Sequence, residues 1–171
     1  MKPVKIQKLT LAGALAALTA AATLLIQIPS PTKGYINPGD VLVNLSAWIL
    51  GPLYGGAAAG IGSALADLIS GYTVYAPATL VIKAAMAVVS YAVFSRLPQK
   101  GRAFLRCTAA AAAAELLMLL GYAVFAGLLY GSVSSALLSI PENVIQGVFG
   151  TAGSAALYEL VRRRGTRLSV L

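Results

Sequence analysis

Three ionisable side chains interrupt otherwise apolar stretches of the sequence, Asp67, Lys83 and Glu115. A charge inside an apolar segment is costly, so such a side chain faces a partner or a cavity. Asp67 and Lys83 are opposite in charge and fall at similar depths in consecutive predicted helices. They can form a structural ion pair or contact a polar ligand, and both interpretations stay open. Glu115 has no evident partner and is expected to be protonated or held by neighbouring polar groups.

Asp40, Asn44 and Trp48 are spaced four residues apart, so they share one face of a predicted helix. Asp40 alone is explained by a helix N-cap, but a cap does not explain Asn44. Both Asp40 and Asn44 are therefore candidates for a polar site.

A second polar face is predicted near the last helix. Pro141 suits a first helical position, and Glu142 suits the positive end of a helix. Neither explains Asn143 and Gln146, which lie three residues apart on one face. Together with three tyrosines near the same predicted end of the molecule, these residues indicate a pocket for a small, planar, polar molecule. The tyrosines are Tyr72, Tyr75 and Tyr122.

The composition limits the kind of protein that can carry such a pocket. Hydrophobic residues make up 58% of the chain and charged residues 11%, so a water-soluble surface cannot be built. The chain has no His and only one Cys, Cys107, which excludes His- or Cys-ligated zinc, His-dependent nucleophilic catalysis and an intrachain disulfide. No phosphate-binding glycine loop is present, and no cofactor is expected. In a membrane protein the net charge of +8 indicates loops facing anionic lipid, so nucleic acid is not an expected partner.

The sequence predicts an all-α integral membrane protein formed by residues 1–171, with six transmembrane helices. The predicted spans are 9–28, 40–53, 57–72, 76–96, 103–130 and 141–161. This arrangement puts eleven of the 13 basic residues on the side that holds both termini. The positive-inside rule therefore predicts cytoplasmic termini.

Helix 1 carries small residues at four-residue spacing, which lets another helix approach closely in lipid. The residues are Ala12, Ala16 and Ala20, and beside them Gly13, Ala17 and Ala21. They predict either packing within the chain or docking of another membrane protein.

Several motifs resemble the substrate-binding S-components of energy-coupling factor (ECF) vitamin transporters. They are YINPGD at 35–40, LGP at 50–52, GIGSALAD at 60–67, GY at 71–72, YAPATLVIK at 75–83 and IPENVIQ at 140–146. Length, span number and the small residues of helix 1 are also similar. Among the S-components, those for hydroxymethylpyrimidine, pyridoxine or riboflavin are the most similar.

The resemblance implies a non-catalytic subunit in a prokaryotic plasma membrane that captures a vitamin or vitamin precursor from outside for ATP-driven uptake. It implies a transmembrane T-component and two cytoplasmic ATPases as partners, with docking through Ala12, Ala16 and Ala20. The predicted substrate contacts are Asn37, Asp40, Asn44, Tyr72, Tyr75, Lys83, Tyr122, Glu142, Asn143 and Gln146. The alternative is a self-sufficient secondary carrier or channel in which Asp67, Lys83 and Glu115 relay an ion or a proton.

Overall fold

The computed structural model describes residues 3–29, 34–98 and 103–163. Over these residues the chain forms five long helices and one pair of two-residue strands. In chain order the elements are α1 (Pro3–Leu25), β1 (Ile28–Pro29), β2 (Tyr35–Ile36), α2 (Gly39–Ile69), α3 (Ala76–Arg96), α4 (Ala103–Tyr130) and α5 (Val133–Arg163). Each helix is long and apolar enough to cross a membrane, with mean hydropathy of at least 1.2 over an 18-residue window. Of the basic residues behind the predicted topology, several lie outside the described residues, namely Lys2, Lys33, Lys100, Arg102, Arg164 and Arg167.

The α2 helix is interrupted at Gly51, whose backbone angles are φ 80° and ψ −177°. A positive φ is readily adopted by glycine, and Pro52 then starts a new helical segment. The chain turns back on itself there. The close approach of the two segments shows this turn, since a Cβ on Gly55 would lie 2.6 Å from the carbonyl oxygen of Ser46. The turn predicted over 51–56 is thus compressed to one residue, and residues 39–50 pack against residues 52–69.

The helix boundaries differ from the predicted spans at two other places. Helix α1 ends at Leu25, before the predicted Ile28, which instead pairs with Ile36 in the antiparallel strand pair. Helix α5 begins at Val133, so the prediction that Pro141 starts the last helix is wrong and the proline lies inside it. An internal proline leaves the carbonyl four residues earlier without its helical donor, a cost that transmembrane helices tolerate when other groups compensate.

The packed interior has an apolar middle and an aromatic cluster at the end where α2 turns. Val43, Met86 and Met118 are fully buried between α2, α3 and α4. At the α2 turn, the Trp48 and Phe94 rings stack with centroids 5.2 Å apart, and Tyr158 packs edge-on against both. The opposite end of the bundle collects the end of α1, the strand pair and the start of α5, and it is polar.

Candidate functional site

A cavity of about 310 Å³ lies at the polar end of the bundle. It sits where the ends of α1, α2 and α4 meet the starts of α3 and α5, beneath the segment that carries β2. Its lining residues are Thr23, Gly34, Tyr35, Asn37, Ser63, Asp67, Tyr72, Tyr75, Thr79, Lys83, Tyr122, Ala126, Tyr130, Ser135, Leu138, Ser139, Glu142, Asn143 and Gln146. The volume is at the lower end of the range for small-molecule sites, so the cavity suits one compact ligand.

A buried ion pair lies at the floor of the cavity, with Lys83 in the lining and Asp40 behind it. Lys83 on α3 donates from its ammonium group to Asp40 Oδ1, and the two residues are 3% and 0% exposed. Gln146 on α5 donates from Nε2 to Asp40 Oδ2 at 2.7 Å. The Asp40 carboxylate therefore holds both side chains in place, and the pairing satisfies a charge that would otherwise be very costly to bury.

The segment after β2 is tied to this floor by Asn37. Its backbone N–H and its Nδ2 donate to Gln146 Oε1 at 3.0 and 3.2 Å. Its Oδ1 accepts from the backbone N–H of Gly39 at 2.9 Å and from the Thr23 hydroxyl at 3.3 Å. Asn37 thus joins α1, α2 and α5 at the edge of the cavity.

Tyrosines supply the aromatic wall. The Tyr35 and Tyr72 ring centroids are 4.8 Å apart, and Tyr72 and Tyr75 are 6.4 Å apart. Tyr75 and Tyr130 share a hydrogen bond between their hydroxyls at 3.0 Å. Lower down, the Tyr122 ring lies 5.5 Å from the Lys83 ammonium, within the range of a cation–π contact. These rings offer flat apolar faces beside polar groups.

Asp67 lies in the cavity wall and is 4% exposed. The Tyr35 hydroxyl donates to its Oδ1, whereas Oδ2 is buried without a hydrogen-bond donor among the described residues. Burial, reinforced by the hydrogen bond to Asp67, raises the pKa of the Tyr35 phenol above its ordinary range. The phenol is therefore a neutral donor at physiological pH, and it satisfies one oxygen of the buried Asp67 carboxylate.

A second polar cluster lies below the floor, deeper in the bundle. Asn44 Nδ2 donates to Glu115 Oε1 at 3.3 Å and to Ser154 Oγ at 3.2 Å. Asn44 Oδ1 accepts from Ser90 Oγ at 2.7 Å, and Ser90 Oγ accepts from Trp48 Nε1 at 2.9 Å. The cluster cross-links α2, α3, α4 and α5, and it supplies the neighbours that the sequence could not identify for Glu115.

The structure brings eight of the ten predicted contact residues to the cavity wall, namely Asn37, Tyr72, Tyr75, Lys83, Tyr122, Glu142, Asn143 and Gln146. The other two differ from the prediction. Asp40 lies behind Lys83, and Asn44 belongs to the deeper cluster, so within the described part of the chain neither lines the cavity. Of the two interpretations left open for Asp67 and Lys83, the structural ion pair is wrong, since Lys83 pairs with Asp40.

Several lining residues were missed by sequence reasoning. Ser139 lies four residues before Asn143 on the same helical face, but it was overlooked because the helix was predicted to start at Pro141. Thr79 lies four residues before Lys83, so the same four-residue spacing puts it on the helix face of Lys83. Tyr35 lies in the predicted loop, two residues before Asn37, and this position is the sequence signal that could have identified it.

The small residues of helix 1 divide into two stripes. Ala12 is 7% exposed and packs with Ala58 of α2, and a Cβ on Gly62 would strike the carbonyl oxygen of Ala16. The stripe of Ala12, Ala16 and Ala20 therefore turns toward the body of the chain, at least at its first two members. The neighbouring stripe, Gly13, Ala17 and Ala21, is exposed.

Fold and site together define a multi-pass helical membrane protein with a compact polar and aromatic pocket at one end. The family of ECF-type riboflavin transporter S components matches residues 3–163. A protein of Pyrococcus woesei, described as an uncharacterized protein in the gap 3' region, is 36% identical over 143 residues, which cover 83% of this chain and 93% of that protein.

A solved structure described as the S component of a bacterial ECF transporter has the same fold. Its TM-score is 0.73 at 21% identity, with 95% of this chain and 99% of that chain covered. The chain belongs to the family of ECF-type riboflavin transporter S components. It is a substrate-binding membrane component of vitamin uptake, and this assignment does not favour a self-sufficient carrier relaying ions through Asp67, Lys83 and Glu115.

Proposed function

We propose that the cavity binds riboflavin, the vitamin in the description of the matching family. The observation that carries the proposal is the combination of a tyrosine wall with the hydrogen-bonding floor of Lys83 and Gln146. A flat ring with polar edges packs its face on tyrosine and turns an edge of acceptors toward the lysine ammonium. Hydroxyl groups on a flexible chain find partners among the hydroxyls of Ser63, Thr79 and Ser139.

Two predicted contacts take different roles in this proposal. Asp40 positions Lys83 and Gln146 from behind, and Asn44 stabilises the bundle below the floor. The ligand contacts are the side chains of the cavity wall.

Binding is tested by titrating the purified protein in detergent with riboflavin and following flavin fluorescence, which stacking on tyrosine quenches. Pyridoxine, hydroxymethylpyrimidine and thiamine serve as competitors. Saturable quenching that the other compounds do not reverse supports riboflavin. Displacement by one of them at lower concentration would assign the pocket to that compound instead.

We also propose that residues 39–50 and 52–69 of α2 cross the membrane separately, giving six spans with both termini in the cytoplasm of a prokaryotic cell. The basic residues support this orientation, since Lys8, Arg96, Arg162 and Arg163 all lie at helix ends remote from the cavity. The cavity then opens to the outside. Tags at both termini should be protected from protease in right-side-out vesicles, and cleavage of either tag would contradict this topology.

Transport is proposed to require a transmembrane T-component and two cytoplasmic ATPases. The exposed stripe of Gly13, Ala17 and Ala21 offers a helix face on which a partner helix can approach closely, and an added Cβ on Gly13 would meet no atom within 4 Å. Uptake into proteoliposomes should need ATP and these partners. Uptake by this chain alone, driven by an ion gradient, would favour the secondary carrier.

A further inference from the structure

The end of the bundle remote from the cavity carries more cations than the acidic side chains there can pair. In the described part of the chain, the ends of α3, α4 and α5 at this side hold the acidic residue Glu159 and four arginines, Arg96, Arg106, Arg162 and Arg163. Glu159 pairs with Arg162 at 2.8 Å and with Arg163 at 2.9 Å. The other four acidic residues of the sequence all lie at the cavity or in the deeper cluster, namely Asp40, Asp67, Glu115 and Glu142. No acidic side chain of the sequence is therefore left for Arg96 and Arg106.

Arg106 differs from the other three arginines in what holds it. Its guanidinium carbon lies 3.5 Å from the centroid of the Phe94 ring, and Phe94 in turn stacks on Trp48. Arg96, by contrast, donates from Nη1 to the carbonyl oxygen of Ala92 at 3.1 Å. A planar guanidinium on a ring keeps its N–H groups in its own plane, so the contact does not use them. The Phe94 ring thus positions Arg106 without occupying its hydrogen-bond donors.

The donors of Arg106 have no acceptor in the described part of the chain. Its Nε is buried, whereas Nη1 and Nη2 are not, so an anion can reach these two nitrogens. Arg106 also lies in the first turn of α4, where the helix dipole disfavours a cation. An anion bound at Nη1 and Nη2 would offset that cost.

The surroundings of Arg106 favour a lipid as the source of this anion. Phe104 and Leu105, beside it in α4, are 56% and 57% exposed, as expected of side chains in contact with lipid tails. Helix α4 packs against α3 and α5, whereas the stripe proposed for docking lies on α1, which packs on α2. Lipid phosphates lie near the depth at which a membrane helix begins, and two phosphate oxygens match the paired N–H groups of a guanidinium.

We propose that Arg106, held flat on Phe94, binds the phosphate group of an anionic membrane lipid at the end of the bundle remote from the cavity. Arg162 and Arg163 add a general attraction for anionic lipid, but both are already paired with Glu159. The site is separate from the vitamin cavity and involves none of its residues.

The test measures binding of short-chain phosphatidylglycerol to the purified protein in a non-ionic detergent by native mass spectrometry. Phosphatidylcholine of the same chain length is the reference, since its choline cation offsets the phosphate charge. The wild type should bind phosphatidylglycerol saturably and more tightly than phosphatidylcholine. Arg106→Gln should weaken binding of phosphatidylglycerol on the order of tenfold, because a hydrogen-bonded contact between two charged groups is lost. Arg106→Lys keeps the charge without the planar pair of donors, so its loss should be smaller.

Arg163→Gln is the matched control, because it removes one positive charge at the same end from a side chain that is 74% exposed. Its dissociation constant should change much less than that of Arg106→Gln. Equal losses in the two variants would show that net charge alone attracts the lipid, and would overturn the proposal. Binding of Arg106→Lys at the wild-type level would overturn it too, since any cation would then suffice. Circular dichroism verifies that each variant is folded, and Arg106→Lys still tests the site if Arg106→Gln is not.

Two further outcomes would assign Arg106 to a different partner. Displacement of phosphatidylglycerol by an equal concentration of inorganic phosphate would make this a site for soluble phosphate. Absence of lipid binding, together with loss of the co-purifying T-component in Arg106→Gln, would make Arg106 a protein contact. Either result overturns the lipid site. Because no vitamin is used, failure of this proposal is distinguishable from failure of the proposed function.

Discussion

The pairing of Lys83 with Asp40 predicts a specific pattern of rescue. Replacing Lys83 by Met removes the cation at similar side-chain length and leaves the buried Asp40 carboxylate, among the described residues, with Gln146 as its side-chain donor. Breaking a buried ion pair on one side costs about 3–5 kcal/mol, while replacing both partners by neutral groups is often close to neutral. Lys83→Met should therefore be strongly destabilising, and adding Asp40→Asn should recover most of the loss.

The expected loss is measurable as a shift in unfolding temperature. For a chain of this size each kcal/mol corresponds to about 2–4 °C, so Lys83→Met should lower the midpoint by roughly 6–20 °C. The assay is thermal unfolding of the purified protein in detergent, followed by circular dichroism and by the fluorescence of its single tryptophan, Trp48.

The control is the double variant Lys83→Met with Asp67→Asn, which tests the pairing that the sequence alone suggested. It should remain as unstable as Lys83→Met, because Asp67 accepts its hydrogen bond from Tyr35 and not from Lys83. Rescue by Asp67→Asn together with no rescue by Asp40→Asn would refute the ion pair described above.

Five further variants test the packing and the site. Ala17→Trp should leave vitamin binding intact and abolish transport, whereas Ala16→Trp should impair folding because Ala16 packs against α2. Normal transport by Ala17→Trp would show that the stripe of Gly13, Ala17 and Ala21 is not a docking surface. Asn143→Ala should weaken binding by roughly five- to 150-fold, the equivalent of about 1–3 kcal/mol. Asn44→Ala should lower the unfolding temperature with little change in affinity. The reverse pattern in titrations would show that the ligand binds at the deeper cluster. Gly60→Ala should cost about 1–3 kcal/mol, since its Cβ would lie 2.6 Å from the Leu80 carbonyl oxygen, and an unchanged unfolding temperature would contradict the packing of α2 on α3.

The polar site was largely predictable because buried polar residues stand out in an apolar chain. Asn143 and Gln146 were identified from spacing on one helix face, and both line the cavity. Asn44 was identified from the same kind of spacing, yet its side chain points to Ser90, Glu115 and Ser154 below the floor. Spacing identifies the residues that share a helix face, but it does not identify how far along that face the pocket extends.

The start of the last helix could not be predicted from local rules. Pro141 is favourable at a first helical position, so the sequence pointed to a start there, but the helix extends back to Val133. Helix α5 packs along α4, and contacts of this kind come from residues distant in sequence, which local helix rules do not include. That extension carries Ser135, Leu138 and Ser139 into the cavity wall.

Composition and hydropathy by themselves determined that the chain is a helical membrane protein, because so few charges cannot cover a soluble surface. They also determined that its polar side chains must meet partners or a ligand, since lipid offers them none. Only the tertiary structure decided which partners meet. Lys83 reaches Asp40 and not Asp67, and Ala16 faces α2 while Ala17 faces outward. The reason is that a helix repeat defines a direction about its own axis, whereas the neighbour in that direction depends on how each helix is rotated and shifted in the bundle.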